Sequence, residues 1–268
     1  MTPSGSRCPT SLLLAACPEL CRRATEGFLR PLADGAVAVL LAPMCAACRR
    51  PLDQPTRGAV CPPCWASIVP ITPPCCRTCG DPLPTWRVRS LADALCPRCR
   101  RREPLVSLAR AIGPYEGALR AIVHALKYDG RPTIARHLAA RMREAGAEVL
   151  AGADLAVAVP LHRSRERTRG FNQAREIGRH LGLPLAEALT RTRRTPSQAD
   201  LPAARRHANV RGAFEWRERV AVKGRTIVLV DDVSTTGATL NACAGALLDA
   251  GAKEVRALTA ARAVARLP

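Results

Sequence analysis

The chain has 268 residues, of which 47% are hydrophobic, enough to bury a core in one or two domains and to exclude a wholly disordered chain. No apolar run is long enough to cross a bilayer, so the sequence predicts no membrane span. The formal net charge of +19 favours a polyanionic partner, such as nucleic acid, a membrane surface or a phosphorylated ligand, unless the excess of arginine is only compositional.

The first 40 residues form a leader with a different texture from the rest of the chain. From Leu20 onward its pattern predicts one or two short apolar helices, broken by Pro31 and Gly35. The run Leu12–Cys17 resembles the end of a lipoprotein signal, but it is very short and only one arginine precedes it. We expect a cytoplasmic protein, because cysteines kept free for a metal suggest a reducing compartment.

Eight of the 13 cysteines fall in four CxxC pairs within residues 41–104, a segment with no sustained helical or strand period. A CxxC turn presents two thiolates to one tetrahedral ion, and two such turns complete a structural zinc site with no open position. The simplest pairing joins neighbouring turns into two tandem sites; cross-paired turns and an iron–sulfur cluster are the alternatives. The predicted ligands are Cys45, Cys48, Cys61, Cys64, Cys76, Cys79, Cys96 and Cys99.

From residue 105 onward, apolar runs of strand length alternate with segments of helical period. This alternation predicts an α/β fold, with right-handed crossovers and a mostly parallel sheet flanked by helices. The predicted strands cover residues 105–115, 153–161, 183–192, 225–233 and 254–264. The predicted helices cover residues 117–128, 133–150, 172–182 and 235–252.

The stretch "IVLVDDVSTTGATL", residues Ile227 to Leu240, carries the clearest chemistry in the sequence. Asp231 and Asp232 end a buried strand, and ligands of parallel sheets bind beyond the carboxyl ends of the strands. The free N–H groups at the start of the next helix favour a phosphate, and Gly237 lets the backbone approach it closely. An aspartate turn with a Ser/Thr helix cap would explain one polar residue, but not two acids and several hydroxyls. The pattern therefore predicts a phosphate site beside acceptors for ribose hydroxyls.

This pattern resembles the 5-phosphoribosyl 1-diphosphate (PRPP) binding motif of the type I phosphoribosyltransferases: four apolar residues, two acids and a "TTGAT"-like phosphate loop. The segments "ALKYDGR" (Ala125–Arg131), "VPLHRSRERTRGFNQA" (Val159–Ala174) and "SQADLPAARRHANVRGAF" (Ser197–Phe214) are similar to signature segments of the ComF/GntX family of competence-associated proteins. The resemblance implies a type I phosphoribosyltransferase-like domain at 105–268, preceded by a double CxxC zinc module at 41–104 that resembles a zinc ribbon. The leader, residues 1–40, lies outside it.

The resemblance also implies roles for individual residues. Asp231 and Asp232 would bind the ribose hydroxyls of PRPP, which would enter with Mg²⁺. Arg163 would lie near the diphosphate and share the catalytic work, the Arg165–Asn172 stretch would be a mobile loop over the site, and Lys127 would add a cation near the phosphates. The 5′-phosphate would be wrapped by Val233, Ser234, Thr235, Thr236, Gly237, Ala238 and Thr239.

Arginine-rich stretches suggest a second partner. A track for single-stranded DNA would be salt-sensitive, whereas a solvated basic face with diphosphate ligands is the simpler interpretation. The family resemblance implies a role in uptake of transforming DNA and a helicase-like partner. Two functions remain open: a phosphoribosyltransferase with an unknown acceptor, or a nucleic-acid-binding accessory protein with a catalytically silent fold. The candidate DNA contacts are Arg165, Arg167, Arg169, Arg205 and Arg206.

Overall fold

The computed structural model of the protein describes residues 31–84, 90, 94–193, 210 and 212–264. Contacts divide the chain into two units, residues 1–45 with 49–61 and residues 46–48 with 62–268. In the first unit residues 31–41 are helical, and the buried carboxylate of Asp34 accepts a hydrogen bond from the backbone N–H of Thr56 at 2.9 Å. The predicted break at Gly35 is wrong, because one glycine costs a helix only about 1 kcal/mol relative to alanine.

The second unit is built on a sheet of five parallel strands, in the spatial order β1-β7-β6-β2-β3. A separate antiparallel pair is formed by β4 and β5. The predicted α/β architecture with a parallel sheet is therefore confirmed. The strands are β1 (Ala109–Pro114), β2 (Leu155–Ala158), β3 (Leu185–Ala186), β4 (Leu189–Arg191), β5 (Phe214–Trp216), β6 (Thr226–Ser234) and β7 (Glu254–Arg262).

Helices connect and cover these strands, and among the described ones none is both long and apolar enough to span a membrane. The predicted helix over 133–150 is interrupted at Gly146, and most of the predicted loop Arg165–Asn172 is helical, ending at Gly170 with φ 78°. The helices are α1 (Pro62–Ala66), α2 (Pro97–Arg101), α3 (Gly117–Tyr128), α4 (Ile134–Ala145), α5 (Ala147–Leu150), α6 (Arg163–Arg169), α7 (Gln173–Gly178) and α8 (Ala238–Asp249).

Strand β6 lies at the centre of the sheet and determines where the acidic residues emerge. Its apolar segment Ile227–Val230 is fully buried, because neighbouring strands β2 and β7 take its backbone hydrogen bonds and side chains pack on both faces. The strand continues through Asp231 and Asp232 to Ser234. Since parallel strands share a direction, the ends of β1, β2 and β6 meet at one edge, where the polar end of β6 is accessible.

Candidate functional site

A cavity opens at this carboxyl edge of the sheet. Its walls come from the ends of β1, β2 and β6, from α3 and α6, from β4, and from the start of α8. Most of the predicted PRPP-binding residues meet in it, although they come from distant parts of the chain. The lining residues are Tyr115, Lys127, Tyr128, Val159, Pro160, Leu161, Arg165, Arg169, Arg191 and the continuous stretch Asp231–Leu240.

The two aspartates occupy different environments within the cavity. Asp232 is buried, with its Oδ1 atom 2.8 Å from Nζ of Lys127, whereas Asp231 is partly exposed and its Oδ1 accepts the backbone N–H of Asp232 at 2.8 Å. Desolvation, followed by the charge of Asp232, raises the pKa of Asp231 to about 7 against the opposing effect of Lys127. The two aspartates therefore place several carboxylate oxygens, which are hydrogen-bond acceptors, close to the ammonium group of Lys127.

Lys127, which was expected near the phosphates of a ligand, lines the same cavity as the phosphate loop and pairs there with Asp232. Burial by itself would lower the pKa of Lys127, but the carboxylate of Asp232 outweighs burial and the pKa is raised above its usual value. The ammonium group therefore remains charged in a largely buried position. In this conformation the positive charge of Lys127 offsets the negative charge of the aspartate pair, so that carboxylate oxygens can line the cavity.

The loop that follows β6 has the form of an anion site. Residues 235–237 turn the chain, Gly237 adopts φ 78° in the left-handed region, and α8 begins at Ala238. The N-cap residue of α8 is Gly237, which has no side chain to accept a hydrogen bond from the first backbone N–H groups of the helix. The hydroxyl of Thr236 accepts the N–H of Ala238 at 3.4 Å. The N–H groups and positive dipole end of this 12-residue helix therefore face the same cavity as the aspartates.

Three arginines also line the cavity wall. Arg165 and Arg169 come from α6, and Arg191 comes from β4. The guanidinium of Arg169 lies 4.9 Å from the ring centre of Tyr128 and donates to its hydroxyl at 3.3 Å. Their charges suit an anionic group in addition to a monophosphate held by the phosphate loop.

The predicted arginines do not all reach this cavity. Arg163 and Arg167 lie exposed on α6 and are not among the described residues that line it. Arg205 and Arg206 lie outside the described residues. His162, next to Arg163, caps α6 through Nδ1, which accepts the N–H of Ser164 at 3.2 Å. Helical spacing thus separates the arginines of "RSRERTR" into cavity-lining and exposed positions.

Three polar residues of the cavity, Tyr115, Tyr128 and Arg191, had no PRPP-binding role predicted from the sequence. Tyr115 directly follows β1, so the rule that ligands bind beyond strand ends would have found it. Tyr128 is the last residue of α3, and its exposed ring carries no signal of its own in the sequence. Arg191 reaches the cavity only because β4 pairs with β5 outside the main sheet, an arrangement that no local pattern predicts.

The cysteines form two groups of four thiols, and in each group all the sulfur atoms lie within 4.8 Å of one another. Such four-sulfur sets suit a tetrahedral zinc ion, and the tandem pairing is confirmed over the cross-paired one. Backbone N–H groups support the sulfurs, as from Cys99 to Cys96 at 3.5 Å. Cys75 belongs to neither group among the described residues. The groups are Cys45, Cys48, Cys61 and Cys64, and Cys76, Cys79, Cys96 and Cys99.

Metal analysis of the purified protein is expected to give about two zinc ions per chain. Replacing Cys96 by serine should lower this content to about one, because a hydroxyl is a far weaker zinc ligand than a thiolate. Cys75→Ser is the matched control and should leave the zinc content unchanged. Equal zinc contents in the Cys96→Ser variant and the wild type would contradict the assignment.

Comparisons with known proteins agree with both parts of this description. Residues 36–100 match the family model described as a double zinc ribbon domain, and residues 167–267 match the phosphoribosyl transferase domain. "DNA utilization protein YhgH" of Escherichia coli (strain K12) is 35% identical over 174 residues, which cover 60% of this chain and 74% of that protein.

Two further relatives carry competence names. "Competence protein F" of Haemophilus influenzae is 31% identical over 179 residues, covering 63% of this chain and 78% of that protein. "Competence protein ComFC" of Bacillus subtilis is 35% identical over 95 residues, covering 35% and 38% respectively.

Proposed function

The chain belongs to the ComF/GntX family of competence-associated proteins, and on this premise we propose that it binds PRPP with Mg²⁺ in the cavity at the carboxyl edge of the sheet. One observation carries the proposal. The acid pair Asp231–Asp232 and the phosphate loop 234–239 lie on one strand–loop–helix segment and line the same cavity as three arginines. This combination suits a ligand that joins a 5′-phosphate, a ribose and a diphosphate.

Each group of the ligand has a chemically matching part of the cavity. The N–H groups of the loop and of α8 would hold the 5′-phosphate, and Asp231 and Asp232 would accept hydrogen bonds from the ribose hydroxyls. Arg165, Arg169 and Arg191 would bind the diphosphate. Mg²⁺, which prefers oxygen ligands, would enter with the diphosphate and neutralise part of its charge.

We propose phosphoribosyl transfer as the reaction at this site. The bond between C1 and the diphosphate oxygen breaks with its electron pair leaving on diphosphate, and an acceptor atom forms the new bond to C1. Positive charge develops on the ribose in the transition state, and the carboxylates of Asp231 and Asp232 stabilise it. No protein nucleophile is required, so the residues serve to position the reactants and to balance charge.

The names of the relatives support a role in DNA uptake or processing, and we propose that the protein acts in the cytoplasm, where cysteines stay reduced for a metal. Relatives with at least 31% identity are called "DNA utilization protein" and "Competence protein". A partner of helicase type would fit a protein that handles incoming single strands. If the protein transfers a ribosyl group, the identity of the acceptor would show at which step of DNA uptake or processing it acts.

Titration calorimetry of the wild-type protein with PRPP and Mg²⁺ tests the ligand assignment. We expect saturable binding with one site per chain, and weaker binding of ribose 5-phosphate, which lacks the diphosphate that the arginines would bind. Absence of PRPP binding would refute the proposal. Release of diphosphate with a panel of purine and pyrimidine bases tests turnover, and binding without any release would favour a catalytically silent site.

A second candidate function is the binding of single-stranded DNA by the exposed face of α6. Arg163 and Arg167 are exposed and are not among the described residues that line the cavity, whereas Arg165 and Arg169 line it, so one seven-residue helix offers basic groups both to the cavity and to solvent. Phosphate contacts of this kind release counterions and weaken as salt increases. They would allow DNA to be held next to the ligand cavity.

Replacing Arg163 and Arg167 by glutamine is expected to weaken oligonucleotide binding and to lower its salt dependence by roughly one to two counterions. A fluorescent oligonucleotide titrated at about 50 and about 200 mM salt measures both quantities. The control replaces Arg120 and Arg136, which are exposed on α3 and α4. If both double variants lose the same oligonucleotide affinity and the same salt dependence, α6 is not the DNA contact, and the net positive charge of the protein accounts for the binding.

A further inference from the structure

The second four-cysteine group lies next to the phosphate loop within the same unit. Arg98, between the ligands Cys96 and Cys99, donates from one terminal nitrogen to the carbonyl oxygen of Thr235 at 3.3 Å. Its other terminal nitrogen lies 2.9 Å from Oδ2 of Asp81. One side chain therefore joins a cysteine turn directly to the backbone of the phosphate loop.

Asp81 supplies the second arm of this connection from the other cysteine turn. It follows Cys79 by two residues, and its Oδ1 atom accepts from Nε of Arg262 at 2.7 Å. Arg262, at the end of β7, is 3% exposed and reaches the hydroxyl of Ser234 at 3.5 Å. Both turns of the cysteine group thus converge on the first two residues of the loop.

Two cavities reach the loop, so core packing does not enclose all of it. One is the ligand cavity, and the other is bounded in part by Cys79, Arg98 and Cys99. Ser234, Thr236 and Gly237 line both cavities. A loop in this position can shift when its anchoring hydrogen bonds are lost, because few side chains would resist the movement.

We propose that Asp81, Arg98 and Arg262 are positioning residues that hold the phosphate loop in its anion-binding conformation. The zinc ion expected at the second cysteine group holds the two turns together, and the turns hold the carboxylate and guanidinium groups. Groups that bridge a metal site and its surroundings orient what they contact, and a loop that is already ordered binds its ligand without a further entropy cost. The inference rests on the proposed function only for the identity of the ligand.

Hydrogen–deuterium exchange of the loop amides tests the inference without any ligand. Arg98→Ala is expected to exchange about tenfold faster than the wild type over residues 235–239. Arg100→Ala is the matched control, because Arg100 lies on the same helix, is exposed, and donates its side-chain hydrogen bond to the carbonyl oxygen of Leu95, outside the phosphate loop. Unchanged zinc content in both variants shows that the cysteine site itself is intact.

Affinity provides the second measurement. Arg98→Ala should bind PRPP with Mg²⁺ about tenfold more weakly than the wild type, while Arg100→Ala should bind normally. If Arg98→Ala loses zinc or fails to fold, Arg98→Lys replaces it. A lysine ammonium cannot reproduce the forked contact to Asp81 and Thr235, so an intermediate effect is expected.

The outcomes separate this inference from the proposed function. Loop exchange in Arg98→Ala or Arg98→Lys equal to that in Arg100→Ala would overturn the positioning role. Failure of the wild type to bind PRPP would refute the proposed ligand, and the exchange measurement would still decide whether the link orders the loop. Faster exchange together with normal PRPP affinity would overturn the claim that this order matters for binding.

Discussion

Replacing Asp231 and Asp232 together by asparagine is expected to weaken the binding of PRPP with Mg²⁺ by at least about 100-fold. Each carboxylate would accept a charge-assisted hydrogen bond worth about 1.5–3 kcal/mol, and the two losses together correspond to a factor of this size. Asparagine keeps the side-chain shape, so the loss would report charge and acceptor strength. Titration calorimetry of both proteins measures the effect.

Asp249→Asn provides the control for this measurement. Asp249 is exposed at the end of α8 and is not among the described residues that line the cavity, so its replacement should leave PRPP affinity unchanged. A double variant that binds PRPP as tightly as Asp249→Asn would show that the acid pair does not contact the ligand. The cavity would then have to hold a different molecule.

The two single variants are expected to change the stability of the ligand-free protein in opposite directions. At about pH 8, Asp231→Asn should raise the melting temperature by about 3 °C, which corresponds to about 1 kcal/mol for a domain of this size. It removes a carboxylate that is desolvated and repelled by Asp232. Asp232→Asn should lower the melting temperature by a similar amount, because it deprives the ammonium of Lys127 of its partner at 2.8 Å.

The effect of Asp231 depends on pH in a definite direction. Its pKa of about 7 in the folded protein lies above the ordinary value of 3.8, so the native state holds this proton more tightly than the unfolded state. The free energy of unfolding therefore falls as pH rises between these two values and is lowest above about pH 7. The advantage of Asp231→Asn should be largest at about pH 8 and should shrink towards pH 4.

Thermal melts over this pH range measure both variants under one set of conditions. The comparison is its own control, because the same chemical change is made at adjacent positions. A melting temperature that rises or falls equally in both variants at every pH would show that the two aspartates share one environment. The assignment of Lys127 to Asp232 would then be wrong.

Much of the site could be predicted because its groups lie close together in the sequence. An apolar run of strand length leads into the two acids, and a glycine before a segment of helical period favours a helix start, so residues 227–240 indicate much of their own local geometry. The CxxC pairs are equally local, since two thiols three residues apart suit one metal ion. Helix α3 was predicted with its observed bounds because its apolar spacing is regular.

Predictions were wrong or incomplete where the conformation or partner of a residue depends on residues far away in the sequence. The "RSRERTR" stretch reads as a charged loop, but it is helical, and the helix divides its arginines between the cavity and the exposed surface. Lys127 was expected near the phosphates, but its ion pair with Asp232, 105 positions away in the chain, was not predicted. Which partner a buried charge selects depends on desolvation and distance in the folded state, which no local pattern contains.

By itself the sequence determined the alternation of strands and helices, the four CxxC pairs and the acidic phosphate-loop motif, because each follows from residues that lie close together in the chain. Only the tertiary structure decided that Tyr115, Arg169 and Arg191 share one cavity with the acids, and that Asp81 and Arg98 link a cysteine site to the phosphate loop. Such contacts join residues far apart in sequence. They exist only because packing of the sheet and its helices brings the ends of separate elements to one edge.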